Sequence, residues 1–154
     1  MPERFGVSAR SAVERALDLA SDEGADAVEA EHILIALTRR ASDRTAEALR
    51  TLGMSEETVR AALDRESATA LEAVGVGALA RPPSQRVPKR SNPRLGRSAK
   101  LALERTAQVA VDRGDRRFGD HHILLAISRA EAGVIPRVLD ELAIAADDIE
   151  SAIR

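Results

Sequence analysis

Shifted by 90 positions, the chain lies over itself without a gap. Residues 5–63 align with 95–153, and 17 of the 59 pairs are identical. Ser8-Ala9 falls on Ser98-Ala99, Glu14-Arg15 on Glu104-Arg105, and His32-Ile33-Leu34 on His122-Ile123-Leu124. Most other apolar positions are conservative exchanges, such as Val28 with Phe118. A repeated unit that cannot bury its apolar face alone does so against its neighbour. The chain therefore divides into a first repeat at 5–63, a linker at 64–94 and a second repeat at 95–153.

Within a repeat the apolar spacing is helical. Ala9, Ala12, Val13, Ala16, Leu17 and Ala20 recur at steps of three and four, one face of a helix. Gly24 suits the turn that ends it. Residues 33–37 predict a short buried helix, and Ala48, Leu49 and Leu52 a third, closed by Gly53. Ser55 is a good N-cap for a fourth, with Glu56 and Glu57 in its first turn. The second repeat follows the same plan. Asp120 is expected to cap its second helix, Pro136 sits where a first turn tolerates it, and Asp147 and Asp148 suit the start of the last helix. Phe5 and Phe118 are the only aromatic residues, and there is no Cys, Trp or Tyr. Ala, Leu, Ile and Val must then build the core. The expectation is an all-α fold: two pseudo-twofold-related four-helix repeats forming one compact bundle.

In the linker, 66–74 can extend or add a helix. Residues 81–93 cannot be helical, because Pro82, Pro83, Pro88 and Pro93 remove donors and fix φ. That stretch also carries Arg81, Arg86, Lys89 and Arg90. It reads as a solvated spacer, with a strap for an anion or an acidic partner as the sharper alternative. The segment argues against a nucleic-acid partner, since no aromatic is interleaved for stacking and the net charge is −2.

Few chemistries survive inspection. Absence of Cys removes disulfides, thiolate metal sites and a thiol nucleophile. No Gly-rich phosphate loop and no Gly-x-Ser-x-Gly elbow occurs. No apolar run reaches the roughly 18 residues of a membrane span, and the N-terminus is not a signal peptide, so the cytoplasm is the expected location. The three histidines, His32, His121 and His122, invite a metal. But His32 and His122 are repeat-equivalent and each precedes an apolar run, which favours a shared packing or capping role. His121 and His122, adjacent on a helix, are expected to diverge by about 100° and not to share an ion. No catalytic residue, metal or cofactor is implied, and a non-enzymatic binding module is left.

Two segments name a family. The first repeat reads Phe5-Gly6-Val7-Ser8-Ala9, then Gly24, then Val28-Glu29-Ala30-Glu31-His32-Ile33-Leu34-Ile35-Ala36-Leu37. The second reads Leu95-Gly96-Arg97-Ser98-Ala99, then Gly114, then Phe118-Gly119-Asp120-His121-His122-Ile123-Leu124-Leu125-Ala126-Ile127. The chain resembles the Clp N-terminal (Clp repeat) domain found at the front of Clp AAA+ unfoldases. The resemblance implies docking of clients or adaptors of such an unfoldase. In some relatives it also implies binding of phosphorylated arginine or cyclic peptides, which would make a sensor or sequestering protein. The family's phosphoarginine sites use a Thr near each repeat's start and a Glu before the His. Those positions are Gly6, Gly96, Glu31 and His121 here, so one carboxylate remains of the four groups. The first-repeat site around Glu31 is the better expectation, and the groove between repeats near Glu31, His32, His121 and His122 is the expected contact surface. The linker is longer than the family's, and no ATPase sequence follows the second repeat, which favours a stand-alone adaptor, decoy or sequestering protein.

Overall fold

A computed structural model of the protein describes residues 4–75 and 90–154. Ten elements follow in order: α1 (Val7–Asp22), β1 (Ala27–Val28), α2 (Ala30–Arg39), α3 (Asp43–Thr51), α4 (Glu56–Ala73), β2 (Arg94–Leu95), α5 (Arg97–Asp112), α6 (Asp120–Ser128), α7 (Val134–Glu141) and α8 (Ala146–Ala152). Each repeat supplies four helices, in the all-helical arrangement expected from the periodicity.

The second helix of each repeat is the centre of the bundle. α2 buries Ala30 and every residue of 33–37, and α6 buries 122–128 together with Asp120. Helices apolar on all sides belong inside a core. α1 packs on α2 and α5 on α6, while α2 and α6 meet across the repeat boundary. Each buried Leu or Ile there contributes about 1.5–3 kcal/mol. Ala9, Ala12 and Ala16 on α1 are fully buried, which lets the long helices approach closely.

Two short parallel pairings cross-link the repeats. β1 pairs with β2, Ala27 opposite Arg94 and Val28 opposite Leu95. The pseudo-equivalent bridge joins Phe5 to Phe118. Gly96 N–H donates to Val28 O at 2.8 Å and Gly6 N–H to Phe118 O at 2.8 Å. Thus the lead-in of each repeat pairs with the loop before the other repeat's second helix. The two aromatics pack edge to face with ring centroids 5.1 Å apart.

Three local details depart from or sharpen the sequence reading. Asp120 is not a cap: Gly119 takes the N-cap position and Asp120 is the first helical residue, 1 % exposed. Its carboxylate instead accepts hydrogen bonds from α3, as described below. The helix of 66–74 is the continuation of α4, which runs to Ala73 and joins α7 through Glu66–Arg137 at 2.6 Å and Arg65–Glu141 at 3.0 Å. Gly24 and Gly53 do take the left-handed turn, at φ 69° each, but Ala143, opposite Gly53 in the duplication, holds φ 55° with a side chain attached. Of the proline-rich stretch, the residues up to Lys89 lie outside the described residues. Residues 90–93 are non-helical, and Ser91 is held by bonds to Ser21 and Ala25.

Candidate functional site: the two cross-repeat helix starts

The starts of α2 and α6 carry Glu31, His32, His121 and His122, and each start faces the beginning of the other repeat's first helix. Free N–H groups at a helix start need partners. His32 Nδ1 accepts the Glu29 N–H at 2.9 Å, and His122 Nδ1 accepts the Gly119 N–H at 2.8 Å. The next N–H is taken from across the boundary: Ala30 N–H donates to Ser98 Oγ at 2.8 Å, and Asp120 N–H to Ser8 Oγ at 3.2 Å. The equivalent histidines therefore share one capping job, and the two identical serines share another. These are the pairs that the duplication preserved.

The two ends differ in what lies over them. At Gly96, Glu29 reaches over the start of α5 and its carboxylate accepts both the Ser98 N–H, at 3.1 Å, and the Ser98 hydroxyl. A carboxylate is favoured at a helix N-terminus by the exposed N–H groups and the helix dipole. A Cβ at Gly96 would overlap that carboxylate, so glycine is what admits Glu29 there. Gly119 stands in Glu29's place in the other half, and among the described residues no carboxylate caps the start of α1 as Glu29 caps α5. There a Cβ at Gly6 would sit 3.0 Å from Phe118 O, so the pairing with Phe118 holds the backbone close.

Glu31 and His121, equivalent in the duplication, occupy contrasting environments. Burial pushes the Glu31 carboxyl above the usual carboxylate range, and the nearby charges of Glu29 and Glu66 add to the effect, against His32, which lowers it. No side-chain hydrogen bond or ion pair reaches Glu31 among the described residues. His121 is depressed to about 4, first by burial and then by His122 and Arg44, so it is neutral at pH 7. Arg44 Nη1 lies 3.5 Å from His121 Nε2.

The expected divergence of His121 and His122 does not hold. Their ring centroids are 3.9 Å apart, and ligand atoms of Asp115, His121 and His122 all lie within 4.8 Å of one another. The cause is the cap: His122 turns back toward Gly119, and a Cβ there would lie 2.7 Å from the His121 ring. What disfavours a metal is the donor set. With His122 Nδ1 accepting a backbone N–H, its one ring proton is on Nε2, which donates to Asp115 Oδ2 at 2.8 Å. While it caps α6, His122 has no lone pair to offer a cation.

Sequence reasoning missed Glu29 and Asp115, and read Asp120 only as a cap of its own helix. Ser42 N–H and both the Ser42 and Thr45 hydroxyls donate to the Asp120 carboxylate at 2.7, 2.6 and 2.7 Å. The carboxylate thereby caps α3 from the opposite repeat. The only trace in the sequence is that Asp120 replaces Ala30, a charge entering an apolar frame.

The sequence matches the Clp repeat (R) N-terminal domain family over residues 4–142. Among solved structures, the chain is similar to the N-terminal domain of Hsp104 from Candida albicans, with a TM-score of 0.69 and 18 % identity, covering 98 % of this chain and 89 % of that one. It is also similar to the N-terminal domain of the chaperone ClpD from Arabidopsis thaliana, with a TM-score of 0.67 and 18 % identity over 98 % and 92 % of the two chains. In Clp chaperones such domains are protein-interaction modules. From the duplicated His-Ile-Leu segments, the paired four-helix repeats and the matched span, the chain belongs to the Clp repeat N-terminal domain family.

Proposed function

We propose that this protein is a non-catalytic docking module of the Clp system that captures clients or adaptors of a Clp unfoldase, in the cytoplasm, through the Glu31 end of α2. One observation carries the reading. Glu31 is a partly buried carboxylate with a raised pKa and no cationic partner among the described residues. Such a group is costly to keep unless something pairs with it. Glu29 and Glu66 make its surroundings more negative, so an arginine or lysine of a client is the fitting partner. His32 positions the end by capping it, with its Nε2 3.7 Å from Glu23 Oε2.

The test is fluorescence anisotropy of a labelled unfolded client, casein, with wild type, Glu31→Gln and Glu57→Gln. A loss of at least fivefold in affinity for Glu31→Gln alone supports the reading. Equal binding by all three, or none by wild type, overturns it.

Phosphoarginine is the alternative ligand, and its support shifts between the two ends. Glu29 lies across the start of α5, where a phosphate would otherwise sit, so among the described residues the uncovered helix start is that of α1, beside Gly6 and His121. A sensor or sequestering role through that end predicts a melt raised by phosphoarginine and insensitive to Glu31→Gln.

A further inference from the structure

Charge is placed unevenly along the chain. Residues 73–103 hold seven of the 23 basic side chains and none of the 25 acidic ones, against a net charge of −2 for the whole. The last four of the seven stand on described backbone. Arg90, Arg94, Arg97 and Lys100 are all exposed, on the segment that enters β2 and on the first turn of α5. That backbone is fixed. Ser91 N–H donates to Ser21 O at 3.0 Å, Ser91 Oγ to Ala25 O at 2.6 Å and Arg94 N–H to Asp26 O at 3.1 Å. Arg97 and Lys100, three apart on a helix, share a face.

The cations of α5 run against its own dipole. α2, α3, α4, α6 and α8 each carry an acid in the first turn, whereas α5 carries two cations there and no acid. Packing does not demand them: Val7, which holds the place of Arg97 in the first repeat, is 84 % exposed. Internal pairing does not hold them either. Arg90 stands 3.4 Å from Asp22 and the Glu29 carboxylate is engaged by Ser98, but Arg94, Arg97 and Lys100 make no ion pair among the described residues. The sequence of 76–89 contains no Asp or Glu. The one acid in 1–3 is Glu3, and its neighbour Arg4 stands at the far end of α5, beside Val111 and Gly114, roughly 20 Å from the first turn.

We propose that Arg94, Arg97 and Lys100 form a docking surface for an acidic segment of a partner protein. Their backbone is already ordered, which lowers the cost of meeting a run of carboxylates. Two arginines and a lysine give such a run charge-assisted hydrogen bonds and a complementary field. Nucleic acid fits less well. Setting the seven cations of 73–103 aside leaves 16 basic against 25 acidic side chains, which repel a long polyanion, and the stretch has no aromatic on which a base could stack. This surface is separate from the docking reading of Glu31: the start of α2 takes a cation, and the start of α5 takes an anion.

The probe is the blocked peptide Gly-Glu-Asp-Glu-Asp-Gly carrying fluorescein, titrated with the full chain and read by anisotropy. In about 0.1 M salt, charges roughly 20 Å apart are screened from one another, so the position of a charge can be told from its mere presence. Arg97→Glu/Lys100→Glu should lose at least about fivefold in affinity. Its melting temperature should equal or exceed that of wild type, because acids suit a helix start. Arg116→Glu/Arg117→Glu makes the same change in net charge at the other end of α5, at two exposed positions. Neither it nor Glu31→Gln should weaken binding by more than about twofold. No binding by wild type, equal losses in the two double variants, or tighter binding of a thymidine decanucleotide would overturn the proposal. Casein reads the Glu31 site and the acidic peptide reads this one, so either reading can fail alone.

Discussion

Replacing Asp120 with Ala tests whether one buried carboxylate ties the repeats together. Three donors from α3 converge on it, at 2.6 to 2.7 Å. Both Asp120 and Thr45 are essentially inaccessible to water, at 1 % and 0 % exposure. Hydrogen bonds to a charged group contribute about 1.5–3 kcal/mol each, and a buried donor left unpaired costs about 1–3 kcal/mol. The losses overlap. The Ser42 and Thr45 hydroxyls are 3.3 Å apart and can turn toward each other, whereas the Ser42 N–H cannot move. Loss of a negative charge at the start of α3 adds about 0.5 kcal/mol. The expected sum for Asp120→Ala is about 3–5 kcal/mol, or roughly 10 °C in melting temperature for a chain of this size. Asp120→Asn, which keeps an acceptor oxygen, should lose about half as much. Urea unfolding followed at 222 nm is the assay, because the chain has no Trp or Tyr to report by fluorescence. Thr45→Val should cost less in the Asp120→Ala background than in wild type, since its hydroxyl is then already without its acceptor. A loss under about 1 kcal/mol for Asp120→Ala, or full additivity of the pair, would refute the account.

Glu31→Gln should raise the melting temperature at pH 7. The raised carboxyl pKa means that stability is full below the unfolded value near 4.5 and falls as pH rises through the folded one, so the variant's advantage should vanish at pH 4. Glu56, held down to about 2 by the hydrogen bonds and charges of Arg39 and Arg60, works the other way: its contribution is present above pH 4.5 and fades as pH falls toward 2. Glu56→Gln should flatten that acid limb by less than about 1 kcal/mol, since the cluster is largely solvated. Ala143→Gly should stabilise by about 0.5–1 kcal/mol by relieving the left-handed backbone, and Gly53→Ala should destabilise by a similar amount; paired thermal melts read both.

The helices were legible because an apolar stripe at steps of three and four is a local property. Ala9, Ala12 and Ala16 announce α1 without reference to any partner. Repeat equivalence carried the histidines further: His32 and His122 were readable as a matched pair, and they do the same capping. What stayed hidden depends on contacts between the repeats. Nothing near Asp120 shows that Ser42 and Thr45, more than seventy positions away, will supply its donors. Glu29 carries no signal of its own either. Its role follows from the missing Cβ at Gly96, which the sequence presents only as a lost hydroxyl. The angle between His121 and His122 failed for a related reason. Helical spacing fixes where Cβ atoms point, but a cap pulls the rest of the ring back.

The reciprocal pairing of lead-in and loop has a consequence for ancestry. Gly96 bonds to Val28 and Gly6 to Phe118, so neither half closes its own edge. A gene encoding a single repeat could satisfy these groups only by meeting a second copy, in a twofold dimer whose assembly depends on concentration. Fusing two copies head to tail makes that encounter intramolecular, at an effective concentration that no cell has to maintain. It also frees the two copies to diverge. Glu31 can then become His121 on one side alone, and Ala30 become Asp120, changes that a symmetric dimer would be forced to make twice.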